Sequence, residues 1–129
     1  YRAIASFGLY LDRQVPGNQT HSLWGDTWQD FYTADPTAGM NFSPEQESRV
    51  LGTEACQWAE QTDASSIETR IFPRVLGAAE RAWSQAKDTQ DIKEATNRLS
   101  FARCHVLVRR GIQAGPIRPD YCDAVEQFY

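Results

Sequence analysis

Hydrophobic and polar positions follow two rhythms along this chain, one of period two and one of three to four. Residues 2–9, "RAIASFGL", form a short apolar run that continues into "YLD". The pattern predicts a buried strand whose C-terminal end carries Tyr10 and Asp12 on one side. Residues 13–22, "RQVPGNQTHS", read as a loop. In "LWGDTWQDFYTADP" the aromatics Trp24, Trp28, Phe31 and Tyr32 fall at helical spacing before Pro36, which predicts a short helix with a core-facing aromatic side. After a link at residues 37–48, "RVLGTEACQW" predicts a second strand. Ser65 and Glu68 have capping-box spacing. "RIFPRVLGAAERAWS" then predicts a helix with Pro73 in its first turn and Leu76, Ala79 and Trp83 on one face. A third helix is expected from about Asp88 to Arg110, with Ile92, Ala95, Leu99, Ala102 and Val106 as its stripe. Arg109 and Arg110 complement its negative end, and Gly111 supplies a left-handed cap.

Strand, helix, strand, helix is the order of a parallel α/β sheet. A two-stranded parallel unit leaves both edges open, and a complete (β/α)8 barrel takes about 250 residues. The expectation is therefore that these 129 residues are part of a larger barrel. Barrel enzymes place their sites at the C-terminal ends of strands, where this chain carries polar residues on both.

The second strand runs into "EACQWAEQTD", where Glu54, Cys56, Trp58 and Glu60 share one parity and Ala55 and Ala59 the other. Two readings are open. One is a buried Trp58 with Glu60 neutralised by an arginine. The other is a polar ligand site, and a sugar suits it: an aromatic ring covers the C–H face of a pyranose while a carboxylate accepts hydrogen bonds from its hydroxyls.

Composition narrows the classes. The chain is 41% hydrophobic and 12% aromatic, enough for a packed core, and a net charge of −4 offers no field for nucleic acid. No run approaches the roughly 20 apolar residues of a membrane span. The start "YRAIASFGLYLD" has neither signal-peptide features nor an initiator Met, so the chain is expected to begin inside a longer precursor. Three cysteines lack zinc spacing. Cys104 and Cys122 could close a loop of about 18 residues, leaving Cys56 as a thiol. Asn18 in "NQT" and Asn41 in "NFS" are glycosylation sequons, which together with a disulfide favour the secretory pathway.

The stretches "LYLD", "WQDFYTADP", "VLGTEACQWAEQTD", "RIFPRVLGAAERAWS" and "RLSFARCHVLVRRGIQAGPIRPDYC", in this order, resemble the C-terminal part of the β-N-acetylhexosaminidases of glycoside hydrolase family 20. The resemblance runs from about Ala3 to Cys122. It implies the last two β/α units of a (β/α)8 TIM barrel plus the C-terminal helix, with residues 1–129 a segment of one catalytic domain and Cys104 joined to Cys122. It also implies substrate-assisted hydrolysis, in which the sugar's 2-acetamido oxygen attacks the anomeric carbon, with no metal or cofactor. The family's Tyr-x-Asp falls on Tyr10 and Asp12 and its Trp-x-Glu on Trp58 and Glu60. By this carry-over Tyr10 holds the acetamide carbonyl, Trp58 walls the subsite, and Asp12 and Glu60 take the 4- and 6-hydroxyls.

The departures are specific. The family's adjacent Asp-Glu pair, which includes the general acid, follows a His-x-Gly-Gly signature, and no Asp-Glu dipeptide occurs here. Leu9 stands where many members carry Trp. The chain alone is therefore expected to be inactive. The implied partners are glycans ending in N-acetylglucosamine or N-acetylgalactosamine and the rest of the hexosaminidase polypeptide. Many members add a second subunit in a homo- or heterodimer. The implied location is lysosomal or secreted. A non-catalytic sugar-binding or interaction protein built on a half barrel is the alternative.

Overall fold

The structure, a computed structural model, describes residues 1–6, 8–13, 26–119 and 121–122. Two short strands, β1 (Ala3–Ala5) and β2 (Val50–Thr53), pair in parallel, with Ala3 opposite Val50 and Ala5 opposite Thr53. Five helices accompany them among the described residues: α1 (Trp28–Thr33), α2 (Pro44–Glu47), α3 (Ile67–Ile71), α4 (Arg74–Trp83) and α5 (Ile92–Ala102). The parallel pairing and the intervening helices agree with the α/β reading, although regular strand structure ends sooner than the apolar runs suggest.

α1 begins at a reciprocal capping box: the Thr27 hydroxyl accepts from the Asp30 amide at 3.3 Å and the Asp30 carboxylate from the Thr27 amide at 2.6 Å. The helix then lies between two core clusters. Phe31 packs with Leu9, Leu11 and Ala78 on the strand side. Trp28 and Tyr32 pack with Ala95, Leu99 and Ile117 on the other. The expected aromatic face is thus a two-sided core, and the Trp28 indole donates to the Ile117 carbonyl at 3.0 Å. Trp24 lies outside the described residues.

Several local expectations change. The link at 37–48 contains α2, a single turn made by Ser43 as N-cap, Pro44 after it and Gln46 returning the capping bond. α3 does not use the Ser65–Glu68 box. Asp63 accepts from the Ser65 and Ser66 amides at 3.0 and 3.1 Å, while the Glu68 carboxylate takes the Gln113 amide at 2.7 Å. Pro73 stands at the N-cap of α4, between two helices rather than in one. The buried side of α4 is Arg74, Gly77 and Ala78, and Trp83 is 91% exposed. Hydrophobicity alone misphases this helix, because Arg74 buries its guanidinium on backbone carbonyls and the half-buried Arg81 bonds the Ala34 carbonyl, the Thr89 hydroxyl and the Asp35 carboxylate.

The last helix starts at Asp91, whose carboxylate accepts from the Lys93 and Glu94 amides, rather than at Asp88, which belongs to a separate 3₁₀ turn, Ala86–Asp88. Ala95 and Leu99 are buried as expected. A π turn over Arg103–Leu107 then adds one residue to the repeat, so Leu107 takes the inward position expected of Val106. A 3₁₀ turn, Val108–Arg110, ends at Gly111, whose φ of 79° supplies the left-handed cap. Cys104 and Cys122 form a disulfide, and Cys56 is free. No described helix is long and apolar enough to cross a membrane.

Candidate functional site

Beyond the regular ladder the two strand segments meet again through a parallel bridge between Tyr10 and Cys56. The Cys56 amide donates to the Leu9 carbonyl at 2.8 Å, and the Leu11 amide donates to the Cys56 carbonyl at 2.8 Å. Five positions separate Ala5 from Tyr10, but only three separate Thr53 from Cys56. The first segment therefore carries the excess as a loop, and Gly8, at a φ of 86°, takes the left-handed conformation this loop requires.

Burial alternates across the bridge. Leu9 and Leu11, 6% and 2% exposed, point into the cluster against α1 and α4, and Ala55 packs there from the second segment. Tyr10 and Asp12 are half-buried, and Tyr10 shares the opposite side of the sheet with Cys56. Directly after Tyr10 the chain turns, with the Arg13 amide donating to the Tyr10 carbonyl at 3.4 Å. Asp12 sits in this turn. Its Oδ1 is buried and has no hydrogen-bond partner, an arrangement that calls for a donor from outside the described residues.

The second segment departs from strict alternation. Glu54 is exposed, and Trp58 is 56% exposed. Glu60 lies in a turn closed by the Thr62 amide on the Ala59 carbonyl at 3.3 Å, so its side is set by the turn and not by a strand. Gln57 fixes this segment by donating to the Trp58 carbonyl at 2.7 Å and the Thr62 hydroxyl at 2.9 Å. Among the described residues Glu60 forms no ion pair, and Trp58 is not core.

A charged cluster that the sequence reading did not single out lies beneath the Tyr10–Arg13 turn. Arg13 pairs with Asp26, and the buried Arg74 guanidinium donates to the carbonyls of Leu11, Asp26 and Arg70. Burial pushes the Asp26 carboxyl above its ordinary range against the attraction of Arg13, and burial pulls Arg74 below its own. The available signal was the helical spacing of Arg74 with Gly77, Ala78 and Arg81, four residues without a large hydrophobe. Asn41 is exposed, whereas Asn18 lies outside the described residues. No group of three or more metal-binding side chains occurs among the described residues.

Comparison with known proteins matches residues 1–86 to the glycosyl hydrolase family 20 catalytic domain. β-Hexosaminidase subunit A1 of Dictyostelium discoideum is 46% identical over 122 residues, 95% of this chain and 22% of that protein. The α subunit of Mus musculus β-hexosaminidase is 42% identical over 123 residues, 95% of this chain and 21% of its own length. The β subunit of Felis catus is 41% identical over 122 residues, again 95% of this chain and 22% of the relative. The chain thus spans about a fifth of the length of these relatives. With a family match over most of its length, the chain belongs to glycosyl hydrolase family 20.

Proposed function

We propose that this chain is the C-terminal segment, residues 1–129, of a barrel-type β-N-acetylhexosaminidase that removes terminal N-acetylhexosamine from glycans. The parallel bridge between Tyr10 and Cys56 is the observation that carries the reading, because it sets the Tyr10–Asp12 and Trp58–Glu60 segments side by side past the C-terminal ends of paired strands. The unpartnered Asp12 Oδ1 adds an acceptor suited to a sugar hydroxyl. Tyr10 donates to the acetamide oxygen and aligns it for attack on the anomeric carbon, Trp58 covers a pyranose face, and Asp12 and Glu60 select the 4- and 6-hydroxyls. The general acid comes from the rest of the polypeptide. The scheme needs no metal or cofactor.

Exposure of Ile4 and Leu51, each 59%, on a sheet of two strands supports docking against further strands of a barrel. The relatives are named as subunits, which supports assembly as a homo- or heterodimer. The disulfide and the exposed Asn41 sequon support a glycoprotein of the lysosome or the extracellular space, with Asn18 a second acceptor.

The test is turnover of an aryl N-acetyl-β-glucosaminide and an aryl N-acetyl-β-galactosaminide by the full polypeptide that carries this chain. Release of the aryl alcohol with retained anomeric configuration is expected from that polypeptide and none from the 14.6 kDa chain alone. Inverted product, or turnover by the isolated chain, would overturn the reading.

A further inference from the structure

Arg74 is 7% exposed at the start of α4, and its guanidinium carbon stands 5.8 Å from the centroid of the Phe31 ring. Its Nη2 donates to the Leu11 carbonyl and, at 2.6 Å, to that of Arg70. Nη1 reaches the Asp26 carbonyl at 3.3 Å, and Nε a second time to Arg70 at 3.1 Å. One planar fork thus serves carbonyls from three separate segments. A lysine ammonium, a single point on a flexible stem, cannot reproduce that pattern. Filling the space alone would need only an aliphatic side chain, without taking a charge out of water.

The carbonyl that Arg74 holds belongs to the peptide plane joining Leu11 to Asp12. The Leu11 amide on the other side is held by the Cys56 carbonyl at 2.8 Å. Leu11 is therefore clamped at both ends, while its neighbours Tyr10 and Asp12 are half-buried. The Arg13–Asp26 pair secures the turn just beyond. The geometry points to Arg74 as a positioning residue of the sugar site, which fixes the Leu11–Asp12 peptide plane and through it the direction of the Asp12 carboxylate. This rests on the reading of Tyr10 and Asp12 as sugar contacts.

The experiment compares wild type, Arg74→Lys, Asp12→Asn and the double variant in the full polypeptide, with an aryl N-acetyl-β-glucosaminide as substrate and circular dichroism to measure the folded fraction. Arg74→Lys is expected to stay folded and to lower kcat/KM by about 10-fold or more, since small misplacements of a contact group carry large rate penalties. The double variant is expected to fall within about twofold of Asp12→Asn, because both changes disable the same contact. Penalties that multiply, or an Arg74→Lys enzyme within about twofold of wild type, would overturn the assignment. If Arg74→Lys does not fold, Arg74→Gln is measured in its place, and failure of both to fold assigns Arg74 to the scaffold and overturns it as well. An inactive wild type, in contrast, sinks the reading of the site itself and this inference with it.

Discussion

Gly77 of α4 lies against the backbone of α1: a Cβ at this position would stand 2.6 Å from the Trp28 carbonyl oxygen and 3.2 Å from the Tyr32 amide nitrogen. Both neighbours are backbone atoms and cannot rotate away. Gly77→Ala gains about 1 kcal/mol of helix propensity but forces the two helices apart. We expect a net loss of about 1–3 kcal/mol, typical of overpacked cores, read as a lower urea midpoint of the full polypeptide. An unchanged or higher midpoint would show that the helices do not approach this closely.

The same contact explains which parts of the fold were legible. α1 could be read because Trp28, Phe31 and Tyr32 repeat at helical spacing and all three are buried. α4 is misphased because its inward positions are Arg74, Gly77 and Ala78, and Arg74 replaces hydrophobic contact with carbonyl hydrogen bonds. α2 has no buried residue, so no periodicity marks it, and only the Ser43–Gln46 cap does. At the site, the parity of Leu9 and Leu11 fixed the side taken by Tyr10. The turn at Ala59–Thr62 hid the direction of Glu60, since a turn obeys neither period.

The Trp28 indole reaches the Ile117 carbonyl, tying α1 to the segment that leads into the disulfide. Trp28→Phe keeps an aromatic ring but leaves that buried carbonyl without its donor. A loss of about 1–3 kcal/mol is expected from the stranded acceptor. Hydrogen exchange should also rise around Ala114 to Ile117. A variant as stable as wild type, with exchange unchanged there, would deny the tether.

Joining Cys104 to Cys122 closes a loop of 18 residues, which in the chain-entropy estimate contributes about 3 kcal/mol. Replacing both with serine should lower the thermal midpoint of the full polypeptide and make it insensitive to reductant, whereas wild type loses stability on reduction. Equal midpoints for reduced and oxidised wild type would contradict this.

Asp26 and Asp35 should give stability opposite slopes with pH. Burial raises the Asp26 carboxyl above its ordinary value, so the folded state takes up that proton first as pH falls, and Asp26 contributes more stability in acid than at neutrality. Asp35 is held below its ordinary value by the hydroxyl of Thr37, at 2.7 Å, and then by its amide, at 2.8 Å. Its contribution is present above the ordinary carboxylate range and is lost as pH falls through that range towards the depressed folded value. As pH falls from about 6 to about 2, wild type should therefore gain stability relative to Asp26→Asn in the upper part of the range, above about pH 4, and lose it relative to Thr37→Val in the lower part, below about pH 4. Unfolding midpoints across that range test both signs, and parallel curves would remove the assigned causes.

Tyr10 and Trp58 should separate in kinetics if they hold the acetamide and the ring face. The phenolic hydrogen bond holds the acetamide oxygen in line with the anomeric carbon, and that alignment counts as the new C–O bond forms rather than as the substrate binds. Tyr10→Phe in the full polypeptide should therefore lower kcat by about 100-fold with little change in KM, in line with the cost of a misplaced reacting group. Trp58, 56% exposed beside the bridge, contributes stacking that ground state and transition state share. Trp58→Ala should raise KM about 10-fold or more and affect kcat less. Steady-state constants on an aryl N-acetyl-β-glucosaminide distinguish the two patterns. If Tyr10→Phe changes only KM, the acetamide contact belongs to another residue, and Tyr10 is left as part of the subsite wall.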